Sequence, residues 1–347
     1  MTTPSSTPSS RHRLWRIVRA IFIALAAILG ALLLLIVIFG LLPVRMAELP
    51  PPNPVASYGD AIRQFEAIVA AERAIEDFNP ECHSVLLTHG EPTAEVYVFY
   101  HGFTSCPPQY RELGQALFEQ GHNVYIPLAP YHGLRDRRGM ALNNLTVEDL
   151  AVYGTESADI AQGLGERVTV SGISGGGAVA AWLGQEREDI ELAVPMAPFI
   201  GIKLVPGVFL NRGFTNLIGL LPNFYRWWDP ISKENNPASA PYSYVGYPFR
   251  SMGMYMRLGF ATLADAGRAP QAAAGSTMVI NQNETSISNP VARALQKAWE
   301  EQAPGRSTLF EMPADLRLAH DFITTGRPGN DPDVIYPILI DVLKGND

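Results

Sequence analysis

At 347 residues, 47% apolar and 17% charged, the chain has room for one large α/β domain plus an appendage, with the composition of a globular protein carrying an extra apolar segment. Its formal net charge is −8, and residues 1–45 hold five basic and no acidic residues. The remainder therefore sets 21 basic against 34 acidic residues, a charge near −13 that argues against nucleic acid as a partner.

Residues 1–19 open on a Thr/Ser/Pro stretch with too little apolar content to fold and read as a disordered, basic cytoplasmic tail. A run free of charge starts at Ala20 and stops at Leu42. At ~1.5 Å per residue it is long enough for a tilted helix to cross a hydrocarbon core of ~30 Å. A cleaved signal peptide has a shorter apolar core and a small-residue cleavage site, of which Leu41-Leu-Pro-Val-Arg-Met-Ala47 is a poor example. The expectation for residues 20–42 is an uncleaved transmembrane signal anchor. Arg11, Arg13, Arg16 and Arg19 precede it and only Arg45 follows closely, which puts the N-terminus in the cytoplasm and the rest outside. Residues 43–57, with Leu49-Pro-Pro-Pro-Asn-Pro54, read as a stiff linker that lifts the domain of residues 58–347 off the membrane.

Residues 58–78 carry Ile62, Phe65, Ile68, Val69 and Ile75 at helical spacing and predict a helix. Strands are then predicted over 84–88, 95–100, 123–127, 167–171, 191–196, 277–281 and 307–312. Helices over 110–120, 146–164, 175–187, 290–301 and 333–344 alternate with them, and Thr146-Val-Glu-Asp149 resembles a capping box. That rhythm implies a mostly parallel sheet with helices on both faces. From about 199 to 274 it breaks into clustered aromatics with Pro and Gly, so this stretch is expected to be an inserted cap over the sheet's C-terminal edge. Cys82 and Cys106 are the only cysteines. In an exported domain they can pair, since the expected fold brings the first strand near the loop after the next; the alternative is two free thiols. No Cys/His spacing has the form of a metal site.

The chemistry centres on Gly172-Ile-Ser-Gly-Gly176, which follows a β-branched run and precedes an Ala-rich helix. This is G-x-S-x-G, where a strand turns into a helix so sharply that Ser174 is strained and its Oγ exposed; small residues at Gly172 and Gly176 avoid collision with the neighbouring strand and helix. A serine hydroxyl needs a base, itself oriented by a carboxylate. In this motif's chain order the acid and then the histidine follow the serine. Of seven histidines only His320 does so. Glu284, on the loop after the strand at 277–281, is the expected acid, with Asp265 and Asp315 as alternatives. The oxyanion donors are expected to be the N–H groups of Gly175 and of Phe103, in the loop after the second strand. His101 and His132 then shape loops.

Tyr100-His-Gly-Phe-Thr-Ser-Cys-Pro107, the Ser174 pentapeptide, Glu284-Thr-Ser-Ile-Ser-Asn289 and His320-Asp321, in this order, resemble the serine α/β-hydrolase superfamily, especially its bacterial carboxylesterase and lysophospholipase-like branch. The resemblance covers roughly residues 82–343. It implies an eight-stranded, mostly parallel sheet, a specificity-setting cap, the Ser174–His320–Glu284 triad with Phe103 and Gly175 as oxyanion hole, and no cofactor. Glu284 departs from the family's commoner aspartate. The function expected is a membrane-anchored carboxylic ester hydrolase working through an acyl-enzyme on a small-molecule ester or lipid. In it Val205-Pro-Gly-Val-Phe-Leu210 and Leu217-Ile-Gly-Leu-Leu221 would meet an apolar acyl group or, alternatively, merely pack the cap. The alternatives are an amidase, peptidase or thioesterase with the same triad, or a catalytically silent binding module.

Overall fold

The computed structural model describes residues 10–47, 49–237, 239–327 and 329–346, so residues 1–9 of the expected tail lie outside it. Helix α1 (Ser10–Gly40) starts well before Ala20, and residues 10–19 are helical rather than tail. Leu14, Trp15, Ile17 and Val18 continue the apolar surface of the run behind them, which carries the helix back to Ser10. Over Arg13–Gly40 the helix is long and apolar enough to cross a membrane, a property that signal sequences share.

The described residues between 43 and 57 form neither helix nor strand, yet they do not stand off the body. Val44 and Val55 are buried, and Met46 and Leu49 pack on the core. Asn53 N–H donates to Asp159 Oδ2 (3.0 Å) and Val55 N–H to the Asp159 carbonyl (2.9 Å). The expected spacer is thus a strap along the domain, because its four apolar side chains gain more by leaving water than a free polyproline arm would.

Helix α2 (Tyr58–Arg73), capped by Ser57, leads to β1 (Val85–Leu87) and β2 (Thr93–Tyr100). Then come α3 (Arg111–Phe118), β3 (Asn123–Ile126), α4 (Val147–Gln162), β4 (Gly165–Ile173), α5 (Gly175–Glu186) and β5 (Leu192–Met196). The Thr146/Asp149 capping box starts α4. After β5 the chain forms α6 (Gly207–Ile218), the short strands β6 (Tyr225–Trp227) and β7 (Gly246–Pro248), and α7 (Phe249–Ala266). It closes with β8 (Gly275–Asn281), α8 (Asn289–Gln302), β9 (Ser307–Met312) and α9 (Pro332–Leu343).

Seven strands, in the order β1-β3-β2-β4-β5-β8-β9, make the main sheet among the described residues. Only β1 runs antiparallel to its neighbour. The eighth strand implied by the resemblance is absent there, because the chain reaches β1 through α2 and a 3-10 turn at Pro80–Cys82. The cap also differs from expectation. Helix α7 packs on α4, α5 and α8 and is the crossover between parallel β5 and β8, so the insertion proper ends near residue 248. Gly259 brings α7 so close that a Cβ there would lie 2.6 Å from Ile200. The aromatic and Met content of α7 hides an ordinary crossover helix.

Cys82 and Cys106 form a disulfide, fully buried beside Phe78. It ties the entry to β1 to the loop after β2, across a sequence separation of 24. Constraining a loop of that size in the unfolded chain is worth about 3 kcal/mol. The double variant Cys82→Ser/Cys106→Ser should lose stability on that order in urea unfolding followed by tryptophan fluorescence; an unchanged midpoint would count against it.

Candidate active site

Strand β2 has β3 on one side and β4 on the other, so the chain leaves the C-terminal ends of β2 and β4 in opposite directions and opens a crevice between them. Tyr100 at the end of β2 lies in register with Gly172 near the end of β4. The loops after these two strands are therefore neighbours before any side chain is considered.

Ser174 sits between β4 and α5 with φ 56° and ψ −114°, a conformation an L-residue adopts only when its surroundings force it. The forcing is visible in the glycines. A Cβ on Gly172 would lie 2.4 Å from the Gly176 carbonyl, and one on Gly176 would lie 1.9 Å from the Tyr100 carbonyl oxygen. Ser174 N–H donates to the Met196 carbonyl (3.0 Å), and its own carbonyl accepts from Ala178 and Phe199 (3.0 and 2.8 Å). The backbone is pinned on both sides, and the side chain faces a cavity of about 330 Å³.

His320 lines the same cavity from the loop after β9. Its Nδ1 lies 2.7 Å from Glu284 Oε2, which leaves Nε2 for the cavity side. Glu284 is 3% exposed, and its Oε1 accepts from the N–H groups of Thr285 (2.8 Å), Ser286 (2.7 Å) and Ile287 (3.3 Å). Burial opposes its charge, but the His320 contact and these N–H donors outweigh burial and hold its pKa below the ordinary glutamate value. Of the two alternatives, Asp265 at the end of α7 pairs with Arg268, and Asp315 is exposed in a turn. Among the described residues no hydrogen bond joins Ser174 Oγ to His320; such contacts often tighten only with substrate.

Phe103 and Gly175 lie against each other. A Cβ on Gly175 would lie 2.8 Å from Phe103 N, so the two residues touch. The Phe103 loop is held from several directions that sequence reasoning missed. Gly102 N–H donates to Gln109 Oε1 (2.7 Å). Thr104, at φ 69°, donates its N–H to His132 Nε2 (3.3 Å) and accepts at its carbonyl from Tyr244 N–H (2.8 Å). Its Oγ1 accepts from Trp228 Nε1 (2.9 Å), which latches the cap to the loop. On the other side Asn281 donates to the carbonyls of Leu318 (3.0 Å) and Ala319 (2.9 Å) and so fixes the approach to His320. Of these supports, only the loop role of His132 is foreseeable in the sequence.

The cap also reaches the acid loop. Ile202 bridges Ile287, and Lys203 N–H donates to the Ser286 carbonyl (3.1 Å). Buried Asn211 of α6 holds this segment, accepting from Ile202 N–H (2.8 Å) and donating to the carbonyls of Val205 (2.6 Å) and Gly207 (3.0 Å). The cavity wall is mixed: Ser105, Ser239, Ser243, Ser286, Asp321 and Arg327 join Phe103, Trp228 and Tyr244. Among the described residues none from 205–221 lines it, so the two apolar stretches expected near an acyl group lie elsewhere on the cap.

His101 and His132 are buried loop residues, with ring centroids 5.1 Å apart. His101 Nε2 accepts from Ala129 N–H (3.0 Å). Burial, with repulsion from His132, lowers its pKa to about 3, and burial lowers that of His132 to about 4. Both values lie below the unfolded ~6.5, so the unfolded chain takes up these protons first. Their contribution to stability is complete above about pH 6.5 and is lost as pH falls toward 4. Urea midpoints measured down that range should fall more steeply for the native chain than for His101→Gln/His132→Gln; parallel curves would refute the assignment.

Residues 90–244 match the family model described as serine aminopeptidase, S33, a stretch that includes Phe103 and Ser174 but stops before Glu284 and His320. Among solved structures, the chain is similar to a monoacylglycerol lipase of Paleococcus ferrophilus (14% identity, 76% of this chain and 99% of that one, TM-score 0.54). A soluble variant of monoglyceride lipase from Saccharomyces cerevisiae, in complex with a substrate analogue, aligns at 14% identity over 75% and 90%, with a TM-score of 0.53. A structure of metagenome-derived lipolytic enzymes aligns at 14% over 77% and 99%, with a TM-score of 0.51. Among curated protein sequences none matches.

Proposed function

From the α/β-hydrolase fold that this chain possesses, we propose that it is a serine hydrolase acting on carboxylic esters, with Ser174 as nucleophile, His320 as base and Glu284 as the orienting acid. One observation carries the reading: the 2.7 Å His320–Glu284 pair and the strained Ser174 border the same cavity. Ser174 Oγ attacks the ester carbonyl while His320 Nε2 takes its proton, and the N–H groups of Phe103 and Gly175 receive the oxyanion. The imidazolium, stabilised by ionised Glu284, protonates the leaving alcohol; water activated by neutral His320 then releases the acid.

Lipases among the structural relatives support an ester as substrate. The modest volume of the cavity, about 330 Å³, favours a short acyl group. Helix α1 is the membrane anchor in this reading, with its arginine-rich end in the cytoplasm and the hydrolase domain outside. The serine aminopeptidase match favours a second reading, cleavage of an amide by the same residues.

The full chain in detergent micelles should be labelled by a fluorophosphonate, and Ser174→Ala and His320→Ala should abolish labelling. Failure of the folded native chain to label would sink the hydrolase reading. Glu284→Gln, which leaves the imidazole without its anion, should lower kcat by about 10³–10⁴-fold. Across a series of nitrophenyl esters, acetate and butyrate should be turned over faster than laurate, and all of them faster than the matching anilides. The reverse order for anilides would select the amidase reading.

A further inference from the structure

The end of α1 is not free. Helix α6 of the cap lies across its last turns, where Ile36 and Phe39 are partly buried and Gly40 is buried, whereas the apolar stretch before them is exposed. The approach is of backbone on backbone: a Cβ on Gly213 would lie 1.9 Å from the Ile36 carbonyl oxygen, and one on Gly40 would lie 2.9 Å from the Phe209 ring. Small residues that admit such contact are the usual device of helix packing in lipid.

The polar contacts are as specific. Arg212 Nε donates to the Gly40 carbonyl (2.7 Å), and Asn216 Nδ2 donates to the carbonyls of Phe39 (3.0 Å) and Leu42 (3.1 Å). The carbonyls of a helix's last turn have no partner within the helix. In water they are hydrated; where water is scarce, side chains must supply the donors.

Counted from Ala20 at ~1.5 Å per residue, a hydrocarbon core of ~30 Å ends near Phe39 and Gly40, at the level of α6. Exposed apolar side chains flank that helix in sequence. Leu204 (87% exposed) precedes it, while Leu220 (67%), Phe224 (50%) and Ile231 (91%) follow. The charge is biased in the same direction. Residues 199–250 hold five basic and two acidic residues, within an exported part whose charge is near −13. Trp228, in the same segment, is both half-exposed and part of the cavity wall.

We propose that α6 with Leu204, Leu220, Phe224 and Ile231 is a membrane-seated face of the cap, lying in the headgroup layer where α1 leaves the bilayer and locked there by the α1–α6 joint. The proposal rests on the reading of α1 as a membrane span. Its partner is a phospholipid surface bearing anionic headgroups, which the basic segment faces while the acidic body points away.

The test uses the full chain in phosphatidylcholine/phosphatidylglycerol vesicles, with a nitroxide placed singly through Leu204→Cys, Leu220→Cys or Ile231→Cys. Glu119→Cys, exposed beyond α3 at the opposite end of the sheet, is the control. Collision with oxygen and with a water-soluble nickel chelate reports immersion. The three cap positions should be several-fold less accessible to nickel than Glu119, at a depth of about 5–10 Å. Gly213→Leu should return Leu220 to nickel-accessible water while the protein stays in the membrane. Nickel accessibility equal to that of the control at all three positions, in protein that resists alkaline carbonate extraction, would overturn the proposal and leave the span intact. Release of the native chain by carbonate would instead remove the span, and the proposal with it.

Discussion

Everything at the site follows from one steric constraint, the near-contact of the β4–α5 turn with the end of β2. Gly176 and the Tyr100 carbonyl lie too close for any side chain, so the turn has a single solution, and that solution holds Ser174 at positive φ with its hydroxyl outward. The strain persists because β4 is a central strand, hydrogen-bonded on both sides, and cannot shift to relieve it. The same contact brings the β2 loop against the start of α5, which makes neighbours of Phe103 and Gly175.

Around that fixed point the other groups are held by different means. Glu284 is immobilised by its own loop's N–H groups, and His320 by Glu284 and the loop that Asn281 anchors. The Phe103 loop relies on two neutral buried histidines, a disulfide and a tryptophan from the cap. These supports act as a network in which loss of one member shifts the rest.

The parts of this arrangement governed by local rules were legible in the sequence. The seven strands, Ser174 and its glycines, and His320 by chain order needed only periodicity, turn chemistry and elimination. Glu284 came from its place after a strand. What escaped was decided by distant partners. Nothing local marks Asn211 as the brace of the acid loop, or Thr104 as a residue gripped from three sides. Helix α7 was hidden by its aromatic content, and the proline-rich strap misled because stiffness says nothing about which surface a segment lies on. Most telling are the apolar runs around α6, which identified a face in need of company but not which companion it had.

The strap bears on what becomes of the protein if it is cut. Residues 43–57 contribute buried side chains and hydrogen bonds to the domain, and the last turns of α1 cover Gly213 and Phe209. The N-terminal segment is therefore a structural part of the domain. A cut just after α1 would leave α6 uncovered and Arg212 without the Gly40 carbonyl it donates to, a surface suited to sticking to itself. The separated domain would associate with itself rather than diffuse freely.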